Sequence, residues 1–166
     1  AVVLNAEDPY CVRMASQVEE GVEVLYFSLD PEHPVLLTHL EQGGRATWLQ
    51  GGVLMIGHGS RHEALVSTAA MPMSVQGHAM FNIANALAAT AALLASDFTL
   101  PRIAEALTTF VSDSHNNPLR ANIYSIGQAT LVIDYAHNPA AYRALGKMAR
   151  SLAATGTGSS GKVVGV

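Results

Sequence analysis

The stretch Thr130-Leu131-Val132-Ile133-Asp134-Tyr135-Ala136-His137-Asn138-Pro139 decides how this chain is read. A β-branched, apolar run stops at an aspartate. An aromatic, a histidine, an asparagine and a proline follow, and then a helical pattern begins. Open α/β sheets place ligands where a strand ends and turns into a helix. The helix start offers free N–H groups and the positive end of a dipole, so it favours anions such as phosphate. Asp134 at the strand end is suited to accept both hydroxyls of a ribose, and His137 to donate to phosphate or a substrate carboxylate. A purely local reading stands beside this one: Asn138 caps the helix, Pro139 starts it and His137 is merely exposed. The two readings are compatible, because capping and ligand binding use the same helix end.

Outward from that corner, the chain reads as alternating strands and helices. A strand at Ala1–Leu4 is followed by a helix at Pro9–Val18, capped by Asp8 and ended by Gly21, and by a strand at Val22–Phe27. That β-α-β unit predicts a parallel pair. Glycine pairs then punctuate the segments Ala46–Leu49, Val53–Ile56 and His62–Ser67, which read as antiparallel hairpins with Gly51-Gly52 as one turn. Helices are expected at Phe81–Ala95 and Pro101–Val111. The polar breaker Ser112–Pro118 is the expected linker. Strands at Asn122–Ile126 and Ala129–Ile133 turn at Gly127-Gln128, and a helix at Pro139–Ala153 follows. Lys162–Val166 reads as a last strand, so that the chain has the look of an excised fragment.

Composition narrows the function. The 166 residues are 49% hydrophobic and 13% charged, enough apolar matter to build a core. A net charge of −4 and nine scattered basic residues exclude a protein built on nucleic-acid backbones. The longest apolar run, Ala86–Ala95, is far shorter than the ~20 residues a membrane-spanning helix needs. Cys11 is the only cysteine, which fits a reducing cytoplasm and gives no intrachain disulfide.

Two further places carry candidate chemistry. Asn82 and Asn85 stand three apart near the start of an Ala-rich helix, on one face. Asparagine is a poor interior helix residue, and its amide matches the donor and acceptor on an adenine edge. Capping and loop support are the alternative roles. Arg120, just past the linker, is placed to reach a phosphate across a cleft, or else is a solvated surface arginine. The loop Gly156–Val163 imitates a P-loop, but Val163 replaces the Ser or Thr that would hold magnesium, and the loop follows a helix instead of opening one. It reads as a connector. The scattered histidines, His58 and His62 included, do not make a metal site.

Taken in order, these segments resemble the Mur ligase family, and within it the cyanophycin branch. Asn5-Ala6-Glu7-Asp8-Pro9 is similar to N-A-D-D-P, with Glu7 in place of the first Asp. Tyr26-Phe27-Ser28, His39-Leu40 and Gly43-Gly44-Arg45-Ala46 look like the cyanophycin branch. Gly77 to Ala89 is similar to the G…H-N-x-x-N-A-L-A-A signature, with Phe81 in place of the histidine. Asn117-Pro118-Leu119-Arg120-Ala121-Asn122 is similar to N-P-G-R-x-N, with Leu119 in place of the glycine. Asp134–Pro139 matches D-Y-A-H-N-P throughout.

The resemblance implies an α/β fold in two parts. Residues 1–113 would be the end of a Mur-type central ATP-binding domain, and residues 114–166 the start of a Rossmann-like C-terminal domain. It implies a ligase that uses ATP and Mg2+ to activate a carboxylate as an acyl-phosphate, which an amine attacks to give an amide. In the cyanophycin branch the substrates are arginine and an Asp–Arg polymer. By this resemblance Asn82 and Asn85 lie at the adenine, Arg120 at the phosphates and Asp134 at the ribose, with His137 and Asn138 shaping the same edge. The P-loop, metal ligands and activated lysine of the family have no counterpart in these residues, so the 166 residues alone are expected to ligate nothing. Unpaired sheet edges make self-association an expectation too. Two other readings stand beside this one: a family member acting on peptidoglycan precursors or folate, and a non-catalytic nucleotide-binding module.

Overall fold

Val2–Asn5 forms strand β1, and Asp8 ends the turn after it by accepting the Tyr10 N–H at 2.8 Å. Pro9 then opens helix α1, Pro9–Ala15, at a position where its missing N–H costs nothing. The helix stops well short of Gly21. Ser16 bends back, its hydroxyl donating to the Arg13 carbonyl at 2.8 Å, and turns replace the helix from there. Strand β2, Val24–Ser28, pairs in parallel with β1, as the β-α-β reading requires. The structure, a computed structural model, describes residues 1–155 and 161–165.

Helix α2, Pro34–Glu41, has no counterpart in the sequence reading. Its signal is short: a proline at the start, then Leu36 and Leu40 one turn apart, the two residues it buries. It leads into β3 (Arg45–Gln50), β4 (Val53–His58) and β5 (Arg61–Ser67). These three pair as antiparallel hairpins, and both Gly51 and Gly52 take positive φ at the first turn. The hairpins are not separate from the parallel unit, however. β3 lies parallel to β2, giving one mixed sheet in the order β1-β2-β3-β4-β5.

Both faces of that sheet are covered. Tyr26, Ala46 and Trp48 face Leu36 and Leu40 of α2. Between Ala46 and Trp48, Thr47 points the other way, where its hydroxyl donates to the Leu87 carbonyl at 2.9 Å. Leu87 belongs to helix α3, Met80–Ala95, which lies across the second face with helix α4, Leu100–Thr109. Leu54, Met71, Ile83, Leu87 and Ile103 form the core there. Each such leucine contributes roughly 1.5–3 kcal/mol by leaving water.

Two single turns of 3-10 helix, Thr68–Ala70 and Pro72–Ser74, carry the chain from β5 to α3. After α4, strands β6 (Asn122–Ile126) and β7 (Ala129–Ile133) form a separate two-stranded antiparallel ribbon with the expected bounds. Helix α5, Pro139–Thr155, follows β7. A third cluster joins this part to the first: Ala79, Ala121 and Met148 are buried together, with Phe81 and Leu145 packed against them. Residues 162–165 take no strand conformation, since they find no neighbour to pair with among the described residues; Val166 lies outside them. So does most of the P-loop-like loop, residues 156–160. The fold is α/β. No helix among the described residues is long and apolar enough to cross a membrane.

Candidate functional site

The corner at the end of β7 is tied to the loop before β6. Asp134 directly follows the last residue of the strand, and its Oδ2 accepts the Ala121 N–H at 2.9 Å. The next residue, Tyr135, donates its N–H to the Leu119 carbonyl at 2.8 Å. The two motifs, 117–122 and 134–139, thus meet through two hydrogen bonds, one to each side of Arg120. Arg120 itself is exposed, and its side chain makes no hydrogen bond among the described residues. Its guanidinium is therefore unengaged among the described residues, one position before the Ala121 N–H that Asp134 Oδ2 accepts; Asp134 Oδ1 takes no hydrogen bond among them.

The loop conformation is unusual for its sequence. Leu119 has φ +60° and Ala121 φ +50°, both in the left-handed region that costs an L-residue about 1–2 kcal/mol. Leu119 stands where the resembled motif has glycine, the residue that takes such a φ freely. The conformation is held by Asn122, 2% exposed. Its Oδ1 accepts the Leu119 N–H at 2.8 Å and its Nδ2 donates to the Asn117 carbonyl at 2.9 Å. Ser112 adds a hydroxyl bond to the Arg120 carbonyl at 2.9 Å. Asn122, Ser112 and the Ala121 N–H were not among the residues picked from the sequence. The available signal was an asparagine, a residue depleted in strands, at the first position of β6.

Past Asp134, the expected helix start is present. Asn138 Oδ1 accepts the Ala141 N–H at 2.9 Å, and Pro139 is the first residue of α5. The local reading of Asn138 is therefore realised: its side chain is a cap. His137 is exposed, and its Nδ1 lies 3.1 Å from the Tyr135 carbonyl. A carbonyl only accepts, so Nδ1 carries the proton in that bond and Nε2 is left unpaired among the described residues.

The two asparagines of α3 have different surroundings. Asn82 is buried, with its Nδ2 donating to the Met73 carbonyl at 2.8 Å. Asn85 is exposed. A separation of three residues brings side chains to one side of a helix without giving them equal depth, and here the packed side ends between them. No hydrogen bond among the described residues links either asparagine to Arg120 or Asp134. The connection is apolar: Ala79, next to the first residue of α3, packs on Ala121 and Met148. Across the same junction His78 Nδ1 lies 2.7 Å from the Ser151 hydroxyl of α5. Phe81, which replaces a histidine in the resembled motif, packs into this cluster.

The other motifs have structural work. His39 Nε2 bonds the Arg45 carbonyl at 3.1 Å, and its ring lies so close over Gly44 that a Cβ there would fall 2.2 Å away. Arg45 bonds Glu23 at 2.6 Å and the Leu94 carbonyl at 3.1 Å, tying the sheet to the end of α3. The side-chain hydrogen bond from Arg45 holds the Glu23 carboxyl below its ordinary range. Glu7 Oε1 accepts the Ser28 hydroxyl at 3.0 Å, linking the ends of β1 and β2. A cleft of about 550 Å³ between α1 and α2 is lined by Val24, Tyr26, Val35 and His39, away from the corner. A smaller one, about 220 Å³, lies by the linker between Met73, Asp113 and Asn122. No group of three or more potential metal ligands occurs among the described residues.

Cyanophycin synthetase from Synechocystis sp. is 36% identical over 149 residues, 90% of this chain. The enzyme of the same name from Trichormus variabilis is 32% identical over 164 residues, 99% of this chain. The chain is a relative of cyanophycin synthetase. A shorter match, 41% identity over 63 residues, is to the UDP-N-acetylmuramoyl-L-alanyl-D-glutamate--2,6-diaminopimelate ligase of Geobacillus thermodenitrificans, a Mur ligase. No family model matches. The resemblance read from the five motifs is borne out, and the named relatives are ligases. The chain spans about a sixth (17%) of the length of the cyanophycin synthetases it matches.

Proposed function

We propose that this chain carries the nucleoside side of the ATP site of an amide-forming ligase of cyanophycin type. The observation that carries the proposal is the hydrogen-bonded junction of loop 117–122 with the corner 134–139. It ties the loop that carries Arg120 to the strand end that carries Asp134. A guanidinium matches phosphate oxygens in geometry and charge. A carboxylate with one free oxygen suits a ribose hydroxyl. In this reading Arg120 binds a phosphate and Asp134 the ribose. His137 offers Nε2 to the same edge, and Asn138 holds the helix end that faces it. Asn85 faces the adenine, while Asn82 supports the Met73 turn beneath it. Residues 1–113 and 114–166 belong to the central and C-terminal domains.

The substrates in this reading are those the cyanophycin branch implies: arginine joined to the aspartate side chains of an Asp–Arg polymer, in the cytoplasm. ATP supplies the phosphoryl group that turns the carboxylate into an acyl-phosphate; the arginine α-amine displaces phosphate, and ADP and phosphate leave. Mg2+ accompanies the nucleotide through ligands other than those described here. The residues of this chain contribute position and charge, which is most of what phosphoryl transfer asks of a protein.

The test is arginine incorporation by the full-length protein that carries this segment. Asp134→Ala is expected to lower ATP-dependent incorporation by about tenfold or more. Unchanged incorporation removes Asp134 from the site. The match to the diaminopimelate ligase supports a second reading, a ligase of peptidoglycan precursors. Amide formation on such a precursor, with none on an Asp–Arg polymer, decides for it.

A further inference from the structure

We propose that Asn122 is a positioning residue for Arg120, setting the loop shape in which the guanidinium meets a nucleotide phosphate; this rests on the nucleotide reading of the corner. Asn122 is buried at the first position of β6, and its amide is used on both sides. Oδ1 takes the Leu119 N–H at 2.8 Å; Nδ2 serves the Asn117 carbonyl at 2.9 Å and the Ser112 carbonyl at 3.3 Å. These bonds embrace Arg120 from before and behind. Between them the backbone passes twice through the left-handed region, at Leu119 and at Ala121. Neither residue favours that conformation, so something must hold it. The backbone bonds to Asp134 and Tyr135 fix the loop's outer side, and Asn122 fixes its inner side. The Ala121 side chain is buried against Ala79 and Met148, so the loop has no room to relax by shifting inward.

The chemistry of an amide is required here. One side must accept and the other must donate to two carbonyls, and a side-chain amide, with its carbonyl oxygen and two N–H groups, does both at once. Aspartate keeps the acceptor toward Leu119 and loses both donors. Without the staple Leu119 is free to return to negative φ, which re-aims the next residue, Arg120. A displacement of about 1 Å in a positioning group is enough to cost a hundredfold in rate.

The experiment is steady-state kinetics with ATP as the varied substrate, in the full-length ligase. The variants are Arg120→Ala, Asn122→Ala, Asn122→Asp, the Arg120→Ala/Asn122→Ala double, and Leu119→Gly combined with Asn122→Ala. Arg120→Ala and Asn122→Ala are each expected to raise the KM for ATP about tenfold or more, and the double no further than Arg120→Ala alone. Glycine at 119 takes positive φ without help, so Leu119→Gly should restore part of the loss in Asn122→Ala. A merely structural asparagine would lower the amount of folded enzyme without a selective change in KM for ATP. Should Asn122→Ala fail to fold, Asn122→Asp carries the same test with one bond retained. An Arg120→Ala enzyme that is impaired while the folded Asn122 variants keep the wild-type KM overturns this proposal alone. So do multiplicative losses in the double variant. An Arg120→Ala enzyme with unchanged KM overturns the nucleotide reading, and this proposal with it.

Discussion

Leu119 shows how a single residue can be costly and still kept. Its φ of +60° costs about 1–2 kcal/mol relative to the right-handed regions, and its side chain is half exposed, so little packing offsets that cost. Glycine would remove the strain but lose about 0.5–1 kcal/mol to chain entropy in the unfolded state. Leu119→Gly is therefore expected to stabilise the protein by about 0.5–1 kcal/mol, read as a higher denaturation midpoint in urea. A lower midpoint would mean that the leucine makes contacts worth more than its strain. At this scale the sequence was partly legible. Asp134, Asn138 and Pro139 stand as strand end, cap and helix start, because those roles depend on neighbours in sequence. The burial of Asn82 and the stapling by Asn122 depend on Met73, Ser112 and Asn117, which only the fold brings near.

Between elements, polar side chains hold the ends of the packed layers together. Arg45, the first residue of β3, joins Glu23 before β2 and the carbonyl of Leu94 in the last turn of α3. The bond from Arg45 lowers the Glu23 pKa in the folded protein. A lowered folded value means that the pair stabilises the fold above the ordinary glutamate value of ~4.3. That contribution is lost as pH falls through the lower folded value. Both side chains are partly exposed, 26% and 44%, and solvent screening leaves the pair worth less than about 1 kcal/mol. Glu23→Gln should lower stability by that much at pH 7, and the difference should shrink towards pH 3 in paired denaturation curves. Gly44 decides a second junction. A methyl group there would collide with the His39 ring, which is fixed edge-on to Tyr26 and bonded to Arg45. Gly44→Ala is expected to cost about 1–3 kcal/mol, seen as a fall in Tm. The elements with a clear period or a clear turn were readable, and β6, β7 and α3 lie where expected. Helix α2 was not, because eight residues with two buried leucines give too short a period to distinguish from a loop. The parallel pairing of β3 with β2 was hidden for another reason: strand partners across a helix leave no mark in local sequence.

For the whole molecule, the mixed sheet and its helices serve to carry one junction. The start of α3, the loop 117–122 and α5 meet in the cluster of Ala79, Ala121 and Met148, and the Arg120–Asp134 corner stands beside it. The family was legible because five short motifs occur in order, each weak alone. The activity was less legible, since the chain covers about a sixth (17%) of its relatives' length. The central claim is that Arg120 meets a nucleotide phosphate. The direct measurement is the KM for ATP of the full-length ligase bearing Arg120→Ala, compared with Arg102→Ala. Arg102 is an exposed arginine on α4, outside the proposed site. Arg120→Ala is expected to raise the KM for ATP by about tenfold or more, the loss of a charge-assisted hydrogen bond of ~1.5–3 kcal/mol, while Arg102→Ala leaves it unchanged. Equal values for the two variants would contradict the account.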